Sequence, residues 1–599
     1  MPDNAHMKIG RRIWLIQAAL VITLIFLGVK SFEIQVLNAK EFSRRAESGY
    51  SRHLTIKGER GRILDRHWSK LGASLDAITV TADPLRIETP VKTAQALAEI
   101  LELDPGELAE KFSADNRYAV VVENISPDHA RQVRALTLPG IYFTKSFKRF
   151  YPNRDLAAQV IGFTGKDDIG LEGLEFKYND VLDGKVVRIK VRRDGTGRIL
   201  DIDRKKQEEL RGNDMVLTLD RKIQFLTETT LEQTVKQYQA KSGLALVMRP
   251  ATGELLAMAQ YPRFNPNNYR EFDRALFRNR AVTDAFEPGS TLKVFTAAAA
   301  LEQSLTPNSI FFCENGQYRI GKYTVRDTHP HEWLSINHII AFSSNIGAVK
   351  IAEAIGKQTL HDYLTRFGFG ERTGVECPGE TPGTLMSPDR WSRIDTGAIS
   401  FGQGISVSAI QLISGISAIA NNGRLMKPML VKKIVSNTGQ DIQVFHPTLI
   451  HQVISPQTAD QVKHMMALAV QEKSTGTKAA LAGYSVCGKT GTAQKVAKGQ
   501  AGYAKNIYTS VFAGFAPRQN PQLAVLVVVD EPRTKYYGGD VAAPAFKTIL
   551  AQSFNYLSIP PDGTLVAGAS DAKTPAVKMV KTPKKGGAMT TPVFEGERL

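Results

Sequence analysis

The clearest chemical signal in the sequence is a serine followed one helical turn later by a lysine. Ser290 comes directly after the turn-forming pair Pro288-Gly289, and residues 291–303 have a helical pattern, so Ser290 and Lys293 should share one face at a helix start. A lysine that is partly removed from water near the positive end of a helix loses proton affinity, so its neutral amine can accept a hydroxyl proton. Free backbone N–H groups at the same place can stabilise an oxyanion. The spacing therefore permits nucleophilic serine chemistry.

This pattern is weak by itself, because Ser570 and Lys573 repeat it near the C-terminus. Two later motifs make it specific through their order and spacing. A Ser-Ser-Asn motif lies 53 residues after Ser290, just before a helix of small residues, and a Lys-Thr-Gly-Thr motif lies much later in a short run with strand character. The residues of these two motifs are Ser343-Ser344-Asn345 and Lys489-Thr490-Gly491-Thr492.

Together the three motifs resemble the S-x-x-K, S-x-N and K-T-G set of the class B penicillin-binding proteins. The resemblance extends from the N-terminal apolar run to about residue 557, and it is closer to the septal, division-specific branch of that family than to the elongation branch. The other stretches that are similar to the family are Arg60–Arg66, Arg149–Pro152 and Gly170–Glu175 in the first half of the chain, and Arg278–Asp284 before Phe286-Glu287-Pro288-Gly289.

Two positions depart from the family pattern. His67-Trp68 stands where Asn-Gly usually follows Asp65-Arg66. Asp540 follows Tyr536–Gly539 where a small residue is usual, and no function is assigned to it.

The resemblance implies a peptidoglycan D,D-transpeptidase that works through a serine acyl-enzyme. In that mechanism Ser290 attacks the penultimate D-alanine carbonyl of a stem peptide and Lys293 accepts its proton. Ser343 extends the proton path to the leaving D-alanine, and Asn345 orients the substrate amide. The amine of a second stem peptide then resolves the acyl-enzyme, and β-lactams acylate the same serine.

The resemblance also implies a substrate-binding role for the Lys-Thr-Gly-Thr motif. Lys489 keeps the local field positive, Thr490 and Thr492 bind the terminal carboxylate, and Gly491 completes the motif. The backbone N–H groups of Ser290 and Thr492 form the oxyanion hole. No metal and no cofactor take part. The pair His329 and His331 does not predict a metal site, since no third ligand is in view.

The composition indicates a mostly folded, basic chain. Lysine and arginine number 76 against 59 acidic residues over 599 positions, a net charge of +17, and 43% of the residues are hydrophobic. Wholesale disorder is therefore excluded, and the charge favours contact with anionic surfaces, polymers or nucleic acid. The cysteines are scattered without a C-x-x-C pair, which argues against a disulfide framework or a cysteine zinc site. They are Cys313, Cys377 and Cys487.

An apolar run near the N-terminus predicts a membrane anchor. Ile13–Val29 is 17 residues long and follows Lys8, Arg11 and Arg12, which by the positive-inside rule hold the N-terminus in the cytoplasm. The chain continues without a small-residue cleavage site, so we expect a retained single-pass anchor in the cytoplasmic membrane rather than a cleaved signal peptide. The catalytic part then lies outside the cytoplasm, which disfavours nucleic acid as a partner.

We predict an α+β multidomain chain of four segments. They are a cytoplasmic stub and transmembrane anchor (1–30), a stalk with a mixed α/β pedestal of the dimerisation type (31–220), a penicillin-binding, β-lactamase-like domain of an antiparallel sheet with helices (221–557), and a disordered basic tail (558–599). In the third segment the pattern predicts a helix after the N-cap Asp220, a hairpin of 243–249 with 254–260, and a buried strand at Leu523–Val529.

Several alternatives to a septal transpeptidase remain. One is an elongation-type class B enzyme, since the septal role rests on resemblance alone. A β-lactamase or D,D-carboxypeptidase would need a base that positions water, and no E-x-x-L-N motif occurs between Asn345 and Lys489. A penicillin-binding sensor would need a cytoplasmic signalling portion, and only about twelve residues precede the apolar run. A scaffold that only recruits partners would have no reason to keep the polar site residues, which are Ser290, Lys293, Ser343 and Lys489. The sequence contains no glycosyltransferase-sized module, so we expect a membrane glycan polymerase and other cell-division proteins as partners.

Overall fold

The protein begins with a long helix whose apolar side chains are exposed. The structure, a computed structural model, describes residues 3–116, 118–192, 209–471, 474–496 and 502–562. Helix α1 (Asp3–Phe32) continues through a π-helical turn (Glu33–Leu37) into α2 (Ala39–Tyr50). The stretch Ile9–Leu37 has a mean hydropathy of 2.1, and its most apolar window is not buried against the rest of the chain. By length and composition it is a candidate membrane span, as the sequence predicted.

The pedestal module follows as a mixture of strands and short helices. Strands β1 and β6 form a two-stranded antiparallel ribbon, and β2, β3, β4, β5 and β7 belong to a larger sheet. The strands are β1 (Ser51–Lys57), β2 (Ile63–Leu64), β3 (Lys70–Ala82), β4 (Ala119–Ile125), β5 (Ile141–Phe150), β6 (Val186–Arg192) and β7 (Asp214–Leu217). The helices are α3 (Pro90–Leu101), α4 (Pro105–Ser113), α5 (Pro127–Ala135), α6 (Ala158–Ile161), α7 (Gly173–Lys177) and α8 (Asn179–Leu182).

The second half of the chain is built on a five-stranded antiparallel sheet. Its order is β20 (Cys487–Val496), β21 (Tyr503–Ala516), β22 (Leu523–Asp530), β8 (Ser242–Met248) and β9 (Leu255–Tyr261). Alternate residues of β22 enter two different cores: Val527 packs with residues of the N- and C-terminal helices of the domain, and Leu526 packs with the helices on the other face. Both faces of the sheet are therefore covered, which explains the continuous apolar run of β22.

Helices of this domain lie on both faces of that sheet. They are α9 (Arg221–Gln237), α10 (Arg280–Thr283), α11 (Lys293–Leu301), α12 (Ile336–Phe342), α13 (Asn345–Ile355), α14 (Lys357–Arg366), α15 (Arg393–Ser400), α16 (Ala409–Ala420), α17 (Pro456–Leu468) and α18 (Gly538–Tyr556). The smaller strands are β10 (Ala285–Phe286), β11 (Ile310–Phe312), β12 (Gln317–Ile320), β13 (Tyr323–Arg326), β14 (Trp333–Ser335), β15 (Val407–Ser408), β16 (Arg424–Met426), β17 (Val431–Val435), β18 (Asp441–Val444) and β19 (Leu449–Gln452).

One sheet crosses from the pedestal into the catalytic half. Its order is β18-β17-β7-β2-β3-β4, with β5 paired to the other side of β3. Strand β17, which lies more than two hundred residues after β7 in the chain, pairs antiparallel with it, while β2 pairs parallel with β7. The predicted domain boundary at residue 220 therefore separates β7 from β17 in the chain, although the two strands are hydrogen-bonded neighbours in one sheet.

The three family-like stretches of the first half meet in a buried ionic cluster. Glu175 accepts a hydrogen bond from Arg60 Nε and another from Arg149 Nε, each at 2.7 Å, and Tyr151 Oη donates to the same carboxylate at 3.2 Å. Arg60, Arg149 and Glu175 are almost fully buried. A buried charge that loses its partner is strongly destabilising, so the cluster holds the three separate stretches together.

Most elements that were predicted in the catalytic half are present, with small differences in extent. Asp220 caps α9 through hydrogen bonds from the backbone N–H groups of Lys222 and Ile223, and the predicted hairpin is β8 with β9. The predicted tail begins too early, because Asp562 accepts a hydrogen bond from the Ser485 backbone N–H at 2.6 Å and residues 558–562 pack onto the domain. The rest of that segment, 563–599, lies outside the described residues.

Candidate active site

The segment that carries Ser290 lies against β20, the edge strand of the five-stranded sheet. Two glycines permit this close approach. Gly289 has a φ of +54°, and a Cβ there would lie 3.2 Å from the carbonyl oxygen of Thr492. A Cβ at Gly491 would lie 2.7 Å from the carbonyl oxygen of Pro288, closer than such atoms approach in proteins. The glycine of the Lys-Thr-Gly-Thr motif is therefore required by packing.

Ser290 lies in a 3-10 turn, and the α-helix begins only at Lys293. The turn spans Gly289–Leu292. The Lys293 N–H donates to the Ser290 carbonyl, three residues earlier, which is the hydrogen-bond spacing of a 3-10 helix. The sequence pattern predicted a helix from residue 291, so this prediction was wrong by half a turn. The reason is local: Gly289 has a positive φ, and Thr291 Oγ1 donates to the Pro288 carbonyl at 2.7 Å, which tightens the first turn. Within the described part of the chain, Ser290 Oγ makes no hydrogen bond.

Lys293 is fully buried and aimed at the Ser-Ser-Asn motif. Its Nζ donates to the Ser343 carbonyl at 2.5 Å, to Asn345 Oδ1 at 2.8 Å and to Ser343 Oγ at 3.2 Å. Burial, and secondly the charge of Lys489, hold the pKa of Lys293 well below its ordinary value of 10.5, while Asp327 opposes this shift. Loss of hydration disfavours the charged ammonium, so the neutral amine of Lys293 is more populated than that of a solvent-exposed lysine.

Lys489 approaches the same hydroxyl from the strand side. Its Nζ donates to Ser343 Oγ at 2.9 Å, and the side chain is fully buried. Burial lowers the pKa of Lys489 from 10.5 to about 7. The structure thus brings Lys293, Ser343, Asn345 and Lys489 together, as the order of the three motifs predicted.

The two threonines of the motif each have a hydrogen-bond partner from a distant part of the chain. Thr490 Oγ1 donates to Thr475 Oγ1 at 3.1 Å, and Thr492 Oγ1 accepts from the Gly538 backbone N–H at 3.0 Å. Because Thr492 is engaged as an acceptor, its hydroxyl hydrogen is available for an anionic ligand. Neither Thr475 nor Gly538 was predicted from the sequence, since each is distant from the motif in the chain.

Asp327 is the most important site residue that the sequence did not predict. Its Oδ1 accepts from the backbone N–H groups of Asn345 and Ile346 at 2.5 and 3.0 Å, and its Oδ2 accepts from Ser344 Oγ at 2.5 Å. Asn345 Nδ2 also donates to the Arg326 carbonyl at 2.9 Å. The β12–β13 hairpin therefore fixes the Ser-Ser-Asn motif from outside, and no spacing in the sequence connects the two.

The helix ends around the motif explain how Ser343 is presented. Ser343 ends α12 in the left-handed conformation with a φ of +61°. Ser344 then caps α13, accepting from the Gly347 N–H at 2.9 Å. The sharp reversal between two helices thus places the Ser343 hydroxyl between the two lysines.

Three other conspicuous polar residues, Cys487, His331 and Asp540, have structural contacts that account for them. Burial raises the pKa of the Cys487 thiol, so its thiolate form is disfavoured and the residue packs as a small apolar group. His331 stacks on Phe342 with ring centroids 5.3 Å apart. Asp540 pairs with Lys478 at the start of α18. Across the described ranges, no group of three metal-ligating side chains was found.

Lys293, one turn after the half-buried Ser290, shares the Ser343 hydroxyl with a second buried lysine, an arrangement that is compatible with serine acyl transfer. Two family models match the chain. The penicillin-binding protein transpeptidase domain matches residues 243–551, and the penicillin-binding protein dimerisation domain matches residues 55–217. The chain belongs to the class B penicillin-binding proteins and is a peptidoglycan D,D-transpeptidase.

Relatives in sequence and structure agree with this assignment. The chain is 35% identical to a probable peptidoglycan D,D-transpeptidase PbpC of Pseudomonas aeruginosa, over 85% of this chain and 89% of the relative. It is 31% identical to the peptidoglycan D,D-transpeptidase FtsI of Escherichia coli, over 92% and 93%. The crystal structure of penicillin-binding protein 3 from Mycobacterium tuberculosis, complexed with aztreonam, aligns with a TM-score of 0.67 and 28% identity, covering 85% of this chain and 98% of that one.

Proposed function

We propose that this transpeptidase cross-links stem peptides during septal wall synthesis through an acyl-enzyme on Ser290. The observation that carries the mechanism is the buried pair of Lys293 and Lys489 around Ser343 Oγ. A buried lysine of lowered pKa one turn from the serine can act as its base.

Acylation begins when neutral Lys293 takes the hydroxyl proton of Ser290. The Ser290 oxygen bonds to the penultimate D-alanine carbonyl, and the resulting oxyanion is held by the backbone N–H groups of Ser290 and Thr492. The proton then passes from Lys293 through Ser343 to the nitrogen of the departing D-alanine. Asn345, whose Oδ1 already accepts from Lys293, orients the substrate amide. This step breaks the D-alanyl-D-alanine bond and forms the acyl-ester.

The Lys-Thr-Gly-Thr strand binds the terminal carboxylate of the donor. Thr492 supplies a hydroxyl donor, and Thr490 supplies a second one once its hydroxyl turns from Thr475 to the carboxylate. Lys489, which is buried, supplies a positive field. A substrate carboxylate favours the charged form of Lys489 and thereby strengthens its own binding. β-Lactams, which imitate the donor terminus, acylate the same serine.

The second half of the reaction transfers the acyl group to an amine of a neighbouring stem peptide. The amine attacks the ester carbonyl, Lys293 accepts a proton from the amine and passes it to Ser290 Oγ, and Ser290 leaves as the free hydroxyl. The absence of an E-x-x-L-N sequence between Asn345 and Lys489 supports slow reaction with water. This favours a transferase over a β-lactamase or carboxypeptidase.

The septal role and the topology complete the proposal. The N-terminal helix anchors the protein once in the cytoplasmic membrane, with the N-terminus inside and the catalytic domain outside. The relatives named FtsI, and the Arg278–Asp284 stretch before the reactive serine, support septal rather than lateral-wall action. A membrane glycan polymerase and other division proteins act as partners. An elongation-type role is the competing candidate.

Labelling with a fluorescent penicillin tests the mechanism. The adduct should form on the peptide that contains Ser290, persist for many minutes, and vanish in Ser290→Ala, whereas Ser304→Ala, an exposed serine just after the same helix, should label normally. Rapid loss of the label with turnover of penicillin would contradict the transferase mechanism. A fluorescent fusion that stays in the lateral wall of dividing cells would contradict the septal role.

A further inference from the structure

A cavity of about 380 Å³ lies at the junction of the pedestal and the catalytic half. One wall is the turn between β2 and β3, and another is formed by β17, β18 and the segment 445–447. Ile63 and Met215 enter the main core, whereas the next residues, Leu64 and Val216, pack in a separate small cluster on the other face of the shared sheet. Val216 also lines the cavity, so the cavity opens on this second face.

Trp68, in the turn between β2 and β3, combines an unfavourable backbone conformation with an exposed side chain. Its φ is +65°, in the left-handed region that bulky residues rarely adopt. Its indole lines the cavity and is 52% exposed, and the Lys433 ammonium lies 5.0 Å from the ring centre. Val444 of the edge strand β18 is exposed beside the same cavity. A tryptophan held in this way presents an aromatic surface that a ligand can cover.

The cavity also holds two cations with unused hydrogen-bond donors. The Arg66 guanidinium makes no hydrogen bond among the described residues, Glu254 lies 3.9 Å from it, and 14% of the side chain remains exposed. Lys432 is half-buried, and within the described ranges its ammonium has neither a hydrogen bond nor an ion pair. Lys433, by contrast, donates to Asp441 Oδ1 at 2.8 Å. The cavity therefore favours a segment that carries carboxylates next to an aromatic side chain.

The C-terminal part of the chain, beyond the described residues, contains such a segment. Phe594 is followed by Glu595 and Glu597. The preceding part of the tail has the opposite charge and does not complement Arg66 and Lys432. Its lysines are Lys573, Lys578, Lys581, Lys584 and Lys585.

The described chain ends close enough for Phe594 to reach the cavity. Burial and then the charge of Asp220 raise the pKa of Tyr556, and Arg66 also acts on this hydroxyl, which places the end of α18 near the turn between β2 and β3. From Tyr556 to Asp562 the chain spans at most about 20 Å. The next roughly thirty residues span about 30 Å as a random coil, so the segment around Phe594 can return to the cavity.

We propose that residues 593–597 of the chain's own C-terminal segment bind in this cavity. Phe594 packs against the indole of Trp68. The two glutamates that follow it pair with Arg66 and Lys432. The bound segment covers the edge strand β18 and ties the pedestal turn to the catalytic half, and this contact is independent of the acyl-transfer mechanism.

Hydrogen exchange of the full-length protein in detergent tests the contact. Mass spectrometry follows the segments 65–69 and 441–447, which form the two walls. Phe594→Ala should make both segments exchange about tenfold faster than in the natural protein. Val580→Ala, which removes an apolar side chain from the lysine-rich part of the tail, should leave their exchange unchanged. Acylation by penicillin should be the same in all three proteins, since none of these changes touches the active site.

The ion pairs are tested by charge removal and by salt. Glu595→Gln combined with Glu597→Gln should speed exchange in both walls, and so should Lys432→Gln. Added salt should speed exchange in the natural protein more than in either variant, because it screens ion pairs that the variants lack. Lys581→Gln, in the lysine-rich part of the tail, is the control.

Exchange that is the same in the natural protein and in Phe594→Ala would overturn the proposal, and this comparison decides even if Lys432→Gln does not fold. An equal effect of Val580→Ala would show that the tail acts without a specific contact, and would also overturn it. Protection that rises with protein concentration and does not respond to the tail substitutions would assign the cavity to a second copy of the chain instead. Loss of acylation with unchanged exchange would contradict the proposed mechanism alone.

Discussion

Lys293 Nζ and Lys489 Nζ donate to one and the same oxygen, Ser343 Oγ, at 3.2 and 2.9 Å. Two ammonium groups could not share this buried oxygen without mutual repulsion, so each lysine disfavours the protonated form of the other. The two titrations are coupled, and the pair holds fewer than two positive charges near neutral pH. Ser343 Oγ is thus the point where the charges of the two motifs meet, and in the proposed mechanism it also relays the proton.

In the pH profile of the acylation rate, replacing Lys489 by methionine should move the acidic limb to higher pH. Lys293 acts when neutral, and its neutral fraction grows as pH rises. The charge of Lys489 lowers the pKa of Lys293, so its removal raises that pKa and reduces the rate at neutral pH, with recovery in more alkaline solution. The measurement is the second-order rate of acylation by labelled penicillin against pH. Lys478→Met, which removes an exposed lysine, should leave the limb in place, and an unmoved limb in Lys489→Met would contradict the coupling.

Asp327→Asn should shift the same limb in the opposite direction. The Asp327 charge raises the pKa of Lys293, so its loss lowers that pKa and extends acylation to more acidic solution. The maximal rate should also fall, by about 10- to 100-fold, because the amide cannot accept from both the Ser344 hydroxyl and the Asn345 N–H. Asp128→Asn on the pedestal surface is the control. A normal maximal rate would remove Asp327 from the positioning of the Ser-Ser-Asn motif.

Lys293→Arg separates proton transfer from positive charge. Arginine keeps the charge but does not deprotonate in a protein, so acylation by penicillin should fall at least about 100-fold at every pH. The thermal unfolding midpoint serves as the check that the variant is folded. Lys350→Arg, on the neighbouring helix α13, should acylate normally. Near-normal acylation by a folded Lys293→Arg protein would exclude Lys293 as the base.

Gly491→Ala should impair acylation without touching any reacting group. The added methyl would meet the Pro288 carbonyl at 2.7 Å, and because this neighbour is backbone, the segment with Ser290 must move away from β20. We expect a fall of about 100-fold in acylation, as for a displacement near 1 Å. Gly106→Ala in the pedestal, where the nearest atom is the end of the Asp104 side chain, should have no such effect. An unchanged rate would show that the approach of Pro288 to β20 is not required.

Glu175→Gln should destabilise the pedestal. The change leaves Arg60 and Arg149 buried beside a neutral amide, and an uncompensated buried charge costs about 3 kcal/mol or more. Denaturant unfolding of the detergent-solubilised protein measures the loss. Glu107→Gln, an exposed glutamate of α4, should change stability by less than about 0.5 kcal/mol. Equal stability of the two variants would contradict a structural role for the cluster.

The parts of the site that local chemistry defines could be predicted from the sequence. Ser290, Lys293, Ser343, Asn345 and Lys489 each belong to a short motif, and their meeting follows from the order of those motifs. Asp327 could not be predicted, because it reaches the motif through a hairpin, and two of its three contacts with the motif segment are with backbone N–H groups, which leave no pattern in side-chain types.

For the fold as well, most features set by neighbouring residues could be predicted, and features set by contacts between distant segments could not. Asp220 and the turn between β8 and β9 act on their own neighbours, and both were predicted. The half-turn error at Ser290 arose from two local features, the positive φ of Gly289 and the hydrogen bond from Thr291 Oγ1 to the Pro288 carbonyl, which the helical pattern of residue types does not show. The pairing of β7 with β17 is a long-range contact between two short strands, and neither sequence indicates its partner.

That pairing has a consequence for how the enzyme can be divided. Removing the chain up to residue 220 would take away β7 and leave β17 with an unpaired row of N–H and C=O groups at an apolar edge. Such an edge recruits strands from other molecules, so an isolated catalytic half should aggregate. A shortened, soluble form of this protein should therefore be cut between the apolar helix and Ser51, ahead of β1, and should retain the whole pedestal.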